Sequence, residues 1–118
     1  AGVKEVAQNI NASEHTVSKL LQNLVKQKVI NSVKGPTGGF YITDLQRQQP
    51  IINIVNTIDG KDVFTGCGLG LSQCSSTHPC PIHFEYKKGR DVLENIFTEN
   101  SINVLCGPVE SGLTHLIG

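Results

Sequence analysis

VINSVKGPTGGFYIT, residues 29 to 43, is the stretch on which the reading of this chain turns. Ile30 to Val33 form a short β-favouring run, Lys34 to Gly39 a glycine- and proline-rich turn, and Phe40 to Thr43 a second run. Two such runs around such a turn predict a β-hairpin. Its tip, KGPTGG, is basic and low in side-chain bulk, so backbone amides there can approach an anion closely. What the hairpin means depends on what precedes it.

Towards the N-terminus, Val3, Val6, Ala7 and Ile10 recur at helical spacing. Asn11-Ala12 interrupts the pattern, and asparagine tolerates the left-handed conformation that a tight turn between helices needs. Ser13 then suits a helix cap, with Glu14 in the first turn where the helix dipole favours an acid. Val17, Leu20, Leu21, Leu24 and Val25 make one apolar face, and His15, Ser18, Lys19, Gln22, Asn23 and Lys26 the opposite one. On its own this is equally a helix-turn-helix or an ordinary helical hairpin with a solvated polar face. The hairpin directly behind it decides for a winged helix that places its second helix against double-stranded DNA. Domains of this kind pack a further helix across the pair. The first helix here begins at residue 3, so an upstream helix is expected to be missing from this sequence.

Towards the C-terminus, residues 44 to 50 are polar, end in Pro50 and read as a connector. Ile51, Ile52, Ile54, Val55 and Ile58 then predict a short apolar helix closed by Gly60. KDVF leads into CGLGLSQCSSTHPC, residues 67 to 80, which holds three of the four cysteines. Next, Ile82, Tyr86, Gly89, Leu93, Ile96 and Phe97 predict a long amphipathic helix, with Pro81 suited to its first turn. Its apolar stripe is wider than one short neighbour would cover, which makes a second copy of the chain the expected partner. The tail from Asn100 carries no assignable pattern, Cys106 within it reads as a small apolar side chain, and His115 has no evident partner.

The fold expected is therefore mainly α with a small β-hairpin wing: a winged helix-turn-helix over residues 1–47, then a cysteine-loop sensor and dimerisation region over 48–118. The charge distribution agrees. Formal net charge is zero, yet residues 1 to 47 carry six bases against three acids and the remainder four bases against seven acids. A basic half beside an acidic half suits a chain whose first half meets an anion. No apolar run is long enough to span a membrane and no secretory signal is visible, so a cytoplasmic location is expected.

Four readings of the cysteine loop compete: disulfide staple, metal or cluster site, reactive sensor, packing accident. Structural disulfides are uncommon in the cytosol, which weakens the first. Zinc knuckles use short C-x2–4-C spacings, whereas the gaps here are six and five residues, which weakens zinc. Glycines 66, 68 and 70 let the backbone wrap around a small volume, and Pro79 and Pro81 stiffen the exit around Cys80. A thiol–disulfide switch without metal stays open. An enzyme is not expected: no nucleophile is paired with a base, and GLGLS at 68 to 72 lacks the flanking strand and helix of a nucleotide-binding motif. A winged helix that binds protein rather than DNA is the third class.

Taken together, the helix-turn-helix, SVKGPTGGFYI (32–42) and the C-x6-C-x5-C loop running into a long helix resemble the Rrf-two family of bacterial transcription regulators. The family includes iron–sulfur-assembly regulators and nitric-oxide sensors. The resemblance covers residues 2 to about 100 and implies a homodimeric repressor or activator on a double-stranded DNA operator, with repression the expected effect. It implies DNA contacts from Ser13, His15, Thr16, Ser18, Lys19 and Gln22 of the second helix and from Lys34 and Thr37 of the wing, where Lys34 stands at a position usually held by Arg. It matches Cys67, Cys74 and Cys80 to the ligands of an iron–sulfur cluster, 2Fe-2S or 4Fe-4S, and leaves the fourth ligand open between His83 and an acidic side chain from the first helix of a partner subunit. His78 has no counterpart in the family and is expected to face solvent.

Overall fold

A computed structural model describes residues 1–60 and 62–116; Lys61 of the KDVF lead-in and the last two residues of the tail lie outside the described residues. The elements run α1 (Val3–Asn9), α2 (Glu14–Lys26), β1 (Asn31–Val33), β2 (Gly39–Tyr41), α3 (Asp44–Arg47), α4 (Ile52–Asp59), α5 (Asp62–Thr65), α6 (His83–Glu99) and α7 (Ile102–Glu110). No described helix is long and apolar enough to cross a membrane.

The N-terminal part follows the sequence expectation closely. Asn11 sits in the left-handed region at φ 53° and turns the chain between α1 and α2. Ser13 caps α2, its Oγ accepting the Thr16 N–H at 3.2 Å. Ala7 of α1, Val17 and Leu24 of α2 and Val29 just beyond it are buried, where α1 packs on α2. Ile10, expected in that core, is 49% exposed, because α1 ends at Asn9 and Ile10 is already outside the helix.

Helix α2 ends in a Schellman arrangement. The Val29 N–H donates to the Leu24 carbonyl and the Lys28 N–H to the Val25 carbonyl, both at 2.9 Å. This puts Lys28 at φ 62°, where glycine is the usual residue. Lys28→Gly is therefore expected to raise stability by about 0.5–1 kcal/mol, the relief of left-handed strain less glycine's backbone entropy. Denaturant unfolding checks this against Lys28→Ala, which keeps the Cβ and gains nothing.

The hairpin pairs Asn31 with Tyr41, Ser32 with Phe40 and Val33 with Gly39, antiparallel. Its strands are one to two residues shorter than expected at the outer ends, since Thr43 is diverted into a capping box. The Thr43 Oγ1 accepts the Gln46 N–H and the Gln46 Oε1 accepts the Thr43 N–H, starting α3 where a plain connector was expected. In the turn, Gly38 packs on the Val33 carbonyl so tightly that no Cβ fits.

The tail is the other departure. Ser101 caps α7 by accepting the Val104 N–H at 3.1 Å, and Pro108 lies near that helix's end. The start of α7 is stitched back to the segment before α4: Pro50 bridges Ser101, the Ile51 N–H donates to the Asn100 carbonyl at 2.9 Å, and the Ile102 N–H to the Gln49 carbonyl at 3.1 Å. Arg47 of α3 reaches Glu110 at 3.4 Å.

Helix α6 has 17 residues, about 25 Å at the usual rise. It begins at His83, so Pro81 lies outside the helix rather than in its first turn. Phe97 packs on buried Phe64 of α5, ring centroids 5.6 Å apart. Burial on the rest of α6 is inverted. His83 and Arg90 are the buried residues, while Phe84, Tyr86, Val92, Leu93 and Ile96 are exposed. The radius of gyration is 17.2 Å, against roughly 13–14 Å for a compact domain of this length.

Candidate metal centre and nucleic-acid interface

The loop between α5 and α6 brings three thiols to one point. The sulfurs of Cys67, Cys74 and Cys80 all lie within 4.8 Å of one another; Cys67 and Cys74 are half-buried and Cys80 is the most deeply buried of the three. Cys67 Sγ and Cys80 Sγ are 3.7 Å apart. The Cys80 N–H donates to Cys74 Sγ at 3.4 Å, and the Leu69 N–H to Cys67 Sγ at 3.4 Å. Between Cys74 and Cys80 the loop closes on itself, Ser75 and His78 exchanging both backbone hydrogen bonds at 3.1 Å. The His78 side chain is exposed, as expected.

Glycines here are needed for close approach more than for flexibility. A Cβ on Gly68 would stand 2.6 Å from the Tyr86 ring, and one on Gly66 2.7 Å from the Asp62 carbonyl. The loop is held against the first two turns of α6. His83, the first residue of α6, places Nδ1 3.2 Å from Cys74 Sγ. Its Nε2 is buried and has no hydrogen-bond partner among the described residues.

The thiols are electrically unequal. The Leu71 amide is the largest influence on Cys67; burial opposes it, the Leu69 amide and the neighbouring sulfurs reinforce it, and the pKa falls from 9.0 to about 7. At Cys74 the Cys80 amide lowers the pKa, but burial, the Cys80 and Cys67 side chains and the charge on Cys67 outweigh it, so the thiol is pushed up. The protein without a bound group therefore carries one readily ionised thiol beside one that resists ionisation.

This donor set fits a soft metal or an iron–sulfur group. Thiolates are the ligands such groups take, their sulfurs converge, and a buried imidazole with an unsatisfied nitrogen lies at the rim. Cys106 is elsewhere, on α7 beside Ile51, Ile54 and Ile102, in an apolar groove of about 380 Å³.

The residues expected to face DNA are for the most part exposed. His15, Thr16, Lys19 and Gln22 are exposed on α2 and Ser18 is partly so; Lys34 and Thr37 are exposed at the wing tip. Two pairs are committed to one another. Ser13 Oγ donates to Thr16 Oγ1 at 2.8 Å, and Gln22 Nε2 donates to Ser18 Oγ at 2.9 Å. His15, Lys19, Lys34 and Thr37 are exposed and have no side-chain hydrogen bond or ion pair among the described residues.

Sequence reasoning did not single out Tyr86 and Arg90 as parts of the site. The only signal was the pair of glycines flanking Cys67, which implied that something comes close without saying what.

With fold and site in view, comparison with known proteins decides the family. The profile of the Rrf2 (Rrf-two) family, described as an iron-dependent transcriptional regulator, matches residues 1–108. The chain belongs to the Rrf2 family. It is thereby a transcriptional regulator and not an enzyme. An HTH-type transcriptional regulator of Aquifex aeolicus is 26% identical over 113 residues, covering 94% of this chain and 78% of that protein. Two solved structures share the fold at 18% identity. CymR, the global cysteine regulator of B. subtilis, has a TM-score of 0.69 over 91% of this chain and 78% of its own. IscR of T. potens has a TM-score of 0.68 over 97% of this chain and 74% of its own.

Proposed function

We propose that this Rrf2 regulator is a cytoplasmic homodimer whose affinity for a double-stranded DNA operator is set by an iron–sulfur cluster held by Cys67, Cys74 and Cys80, with His83 as fourth ligand. The convergence of three sulfurs within 4.8 Å, with the His83 imidazole against one of them, carries the reading. When bound, the cluster supplies sensitivity to oxidant, nitric oxide or iron supply. Everything else is done by the chain. In a DNA-binding part over residues 1–47, α2 presents His15, Ser18 and Lys19 to base edges, with Gln22 bracing Ser18. Ser13 and Thr16, bonded to each other at the N-terminus of α2, present their backbone and hydroxyls to phosphate. Lys34 and Thr37 place the wing alongside. The exposed apolar residues of α6, in a sensor part over 48–118, supply the dimer contact.

A continuous run of contacts supports communication between the two parts. The Cys80 carbonyl accepts the His83 N–H at 3.1 Å, so the third thiol is tied to the start of α6. The far end of α6, at Asn100, is bonded to Ile51. Gln49 in the same segment donates to the Val29 carbonyl at 2.7 Å, just beyond α2, and Asn23 of α2 donates to the Thr57 carbonyl of α4 at 3.1 Å. A shift of α6 on losing ligand–loop contacts therefore reaches α2. Two reading helices on one duplex must match half-sites about one turn apart, so a small change of tilt removes several contacts at once.

The test is anaerobic purification with iron, sulfide and zinc analysis, followed by operator binding before and after nitric oxide. A brown protein with iron and sulfide that changes DNA affinity on exposure is expected; a colourless protein with stoichiometric zinc would overturn the cluster. Lys34→Ala should weaken binding to all sequences and reduce the slope of log affinity against log salt by about 1. An unchanged slope would mean that the wing does not touch phosphate.

A second reading, a metal-free thiol–disulfide switch on the same frame, is favoured by one observation: Cys67, lowered to about 7, lies 3.7 Å from the Cys80 sulfur. A protein without iron whose DNA affinity still follows the thiol–disulfide state selects it.

A further inference from the structure

Cys67 stands between two glycines in a loop with no secondary structure, the least constrained setting of the three thiols by sequence. Two residues of α6 nevertheless hold it from both sides. The Arg90 Nη1 donates to the carbonyl of Gly66, immediately before Cys67. The Tyr86 ring seats on Gly68, immediately after it, in space that a Cβ would fill. Tyr86 and Arg90 are one turn apart on one face, and the Arg90 guanidinium carbon lies 5.6 Å from the Tyr86 ring centroid. His83, on the same face, meets Cys74.

The burial of Arg90 is what calls for an explanation. It is only 9% exposed, and its Nε has no hydrogen-bond partner among the described residues. A buried guanidinium with an unsatisfied N–H is costly, and an exposed lysine or glutamine on α6 would avoid the cost. The hydrogen bond that the guanidinium does make goes to the peptide that carries Cys67.

We propose that Arg90 is a positioning residue that clamps the Gly66–Cys67 peptide onto α6, with Tyr86 seated on Gly68, and so holds the Cys67 sulfur opposite that of Cys80. The consequence for sensing rests on the function proposed above, but the clamp itself is a property of the chain alone. Because Arg90 lies two turns into α6, it ties the first thiol to the same helix that His83 and Cys80 enter at its start. The site thus grips α6 at two levels.

The clamp is measured without any metal, as the effective concentration of one thiol for another in glutathione redox buffer. Cys67 and Cys80 form an S–S bond while one oxidised glutathione is reduced to two glutathiones, which take the two thiol protons. The Cys67–Cys80 pair is read in Cys74→Ser, and the Cys74–Cys80 pair in Cys67→Ser, both carrying Cys106→Ser. Arg90→Ala is expected to lower the effective concentration of the Cys67–Cys80 pair about tenfold and to change the Cys74–Cys80 pair less than about twofold. Arg90→Lys, which still reaches a carbonyl, should restore the first pair to within about threefold of the parent. An unchanged Cys67–Cys80 pair, an equal fall in both pairs, or a lysine variant no better than alanine would each overturn the proposal. If Arg90→Ala lacks the parent's helical circular dichroism, Arg90→Gln takes its place with the same selective loss expected. The measurement needs no iron, so the clamp stands or falls by it even in a protein that never binds a cluster.

Discussion

Cys74→Ala is expected to leave the anaerobically purified protein colourless, with iron reduced at least about tenfold, while its helical content is kept. Cys74 is the node of the site. Its sulfur accepts the Cys80 N–H at 3.4 Å and meets His83 Nδ1 at 3.2 Å. Truncation removes one thiolate and also the group that orients the backbone at Cys80 and the ring of His83. Loss of several ligands from one shared site is steeper than additive. The fold should survive, because Cys74 is a half-buried loop residue outside every helix and strand and contributes nothing to the core of Ala7, Val17, Leu24 and Val29. Cys106→Ser, on α7, should leave colour and iron unchanged. Visible spectra and iron analysis of the two variants decide the matter, and wild-type colour in Cys74→Ala would remove this cysteine from the ligand set.

The second large effect is expected on the long helix. Leu93→Glu with Ile96→Glu should convert the protein to a monomer and lower operator affinity by about 10³-fold, towards the level of non-specific binding. Leu93 is 50% and Ile96 49% exposed in the single chain, so neither change empties the protomer's own core. In a dimer packed along α6, both would bury an unpaired carboxylate. A monomer presents one reading head, and half of the phosphate and base contacts go with the other. Sedimentation and operator titration report the two consequences separately. A double variant that stays dimeric would show that the partner packs elsewhere; one that is monomeric yet binds the operator at full strength would show that a single head suffices.

How much is legible in the sequence differs from element to element for physical reasons. The winged part can be read almost residue by residue, because its signals are local: the apolar period of α2, the Ser13 cap, the left-handed Asn11 and the glycine-rich hairpin turn. Helix α3 escapes such a reading although TDLQ, residues 43 to 46, is a capping box in plain view. A polar four-residue helix has no hydrophobic period to announce it. Helix α7 escapes it because Gly107 and Pro108 argue against a helix, and both fall late enough in it to be tolerated.

For the site, three closely spaced cysteines marked where chemistry was to be sought, the resemblance to the family pointed to a cluster with His83 beside them, and the basic N-terminal half indicated which end to expect against an anion. Those are properties of residues in order along the chain. That three sulfurs meet within 4.8 Å, that His83 turns Nδ1 to Cys74, and that Arg90 is buried while Leu93 and Ile96 are not were decided only in three dimensions. An amphipathic pattern says that α6 has two faces, but not which one the loop will take. The tertiary structure set the loop on the stripe of His83, Tyr86 and Arg90, where Gly66 and Gly68 let Arg90 and Tyr86 come close enough to hold it, and left Val92, Leu93 and Ile96 exposed.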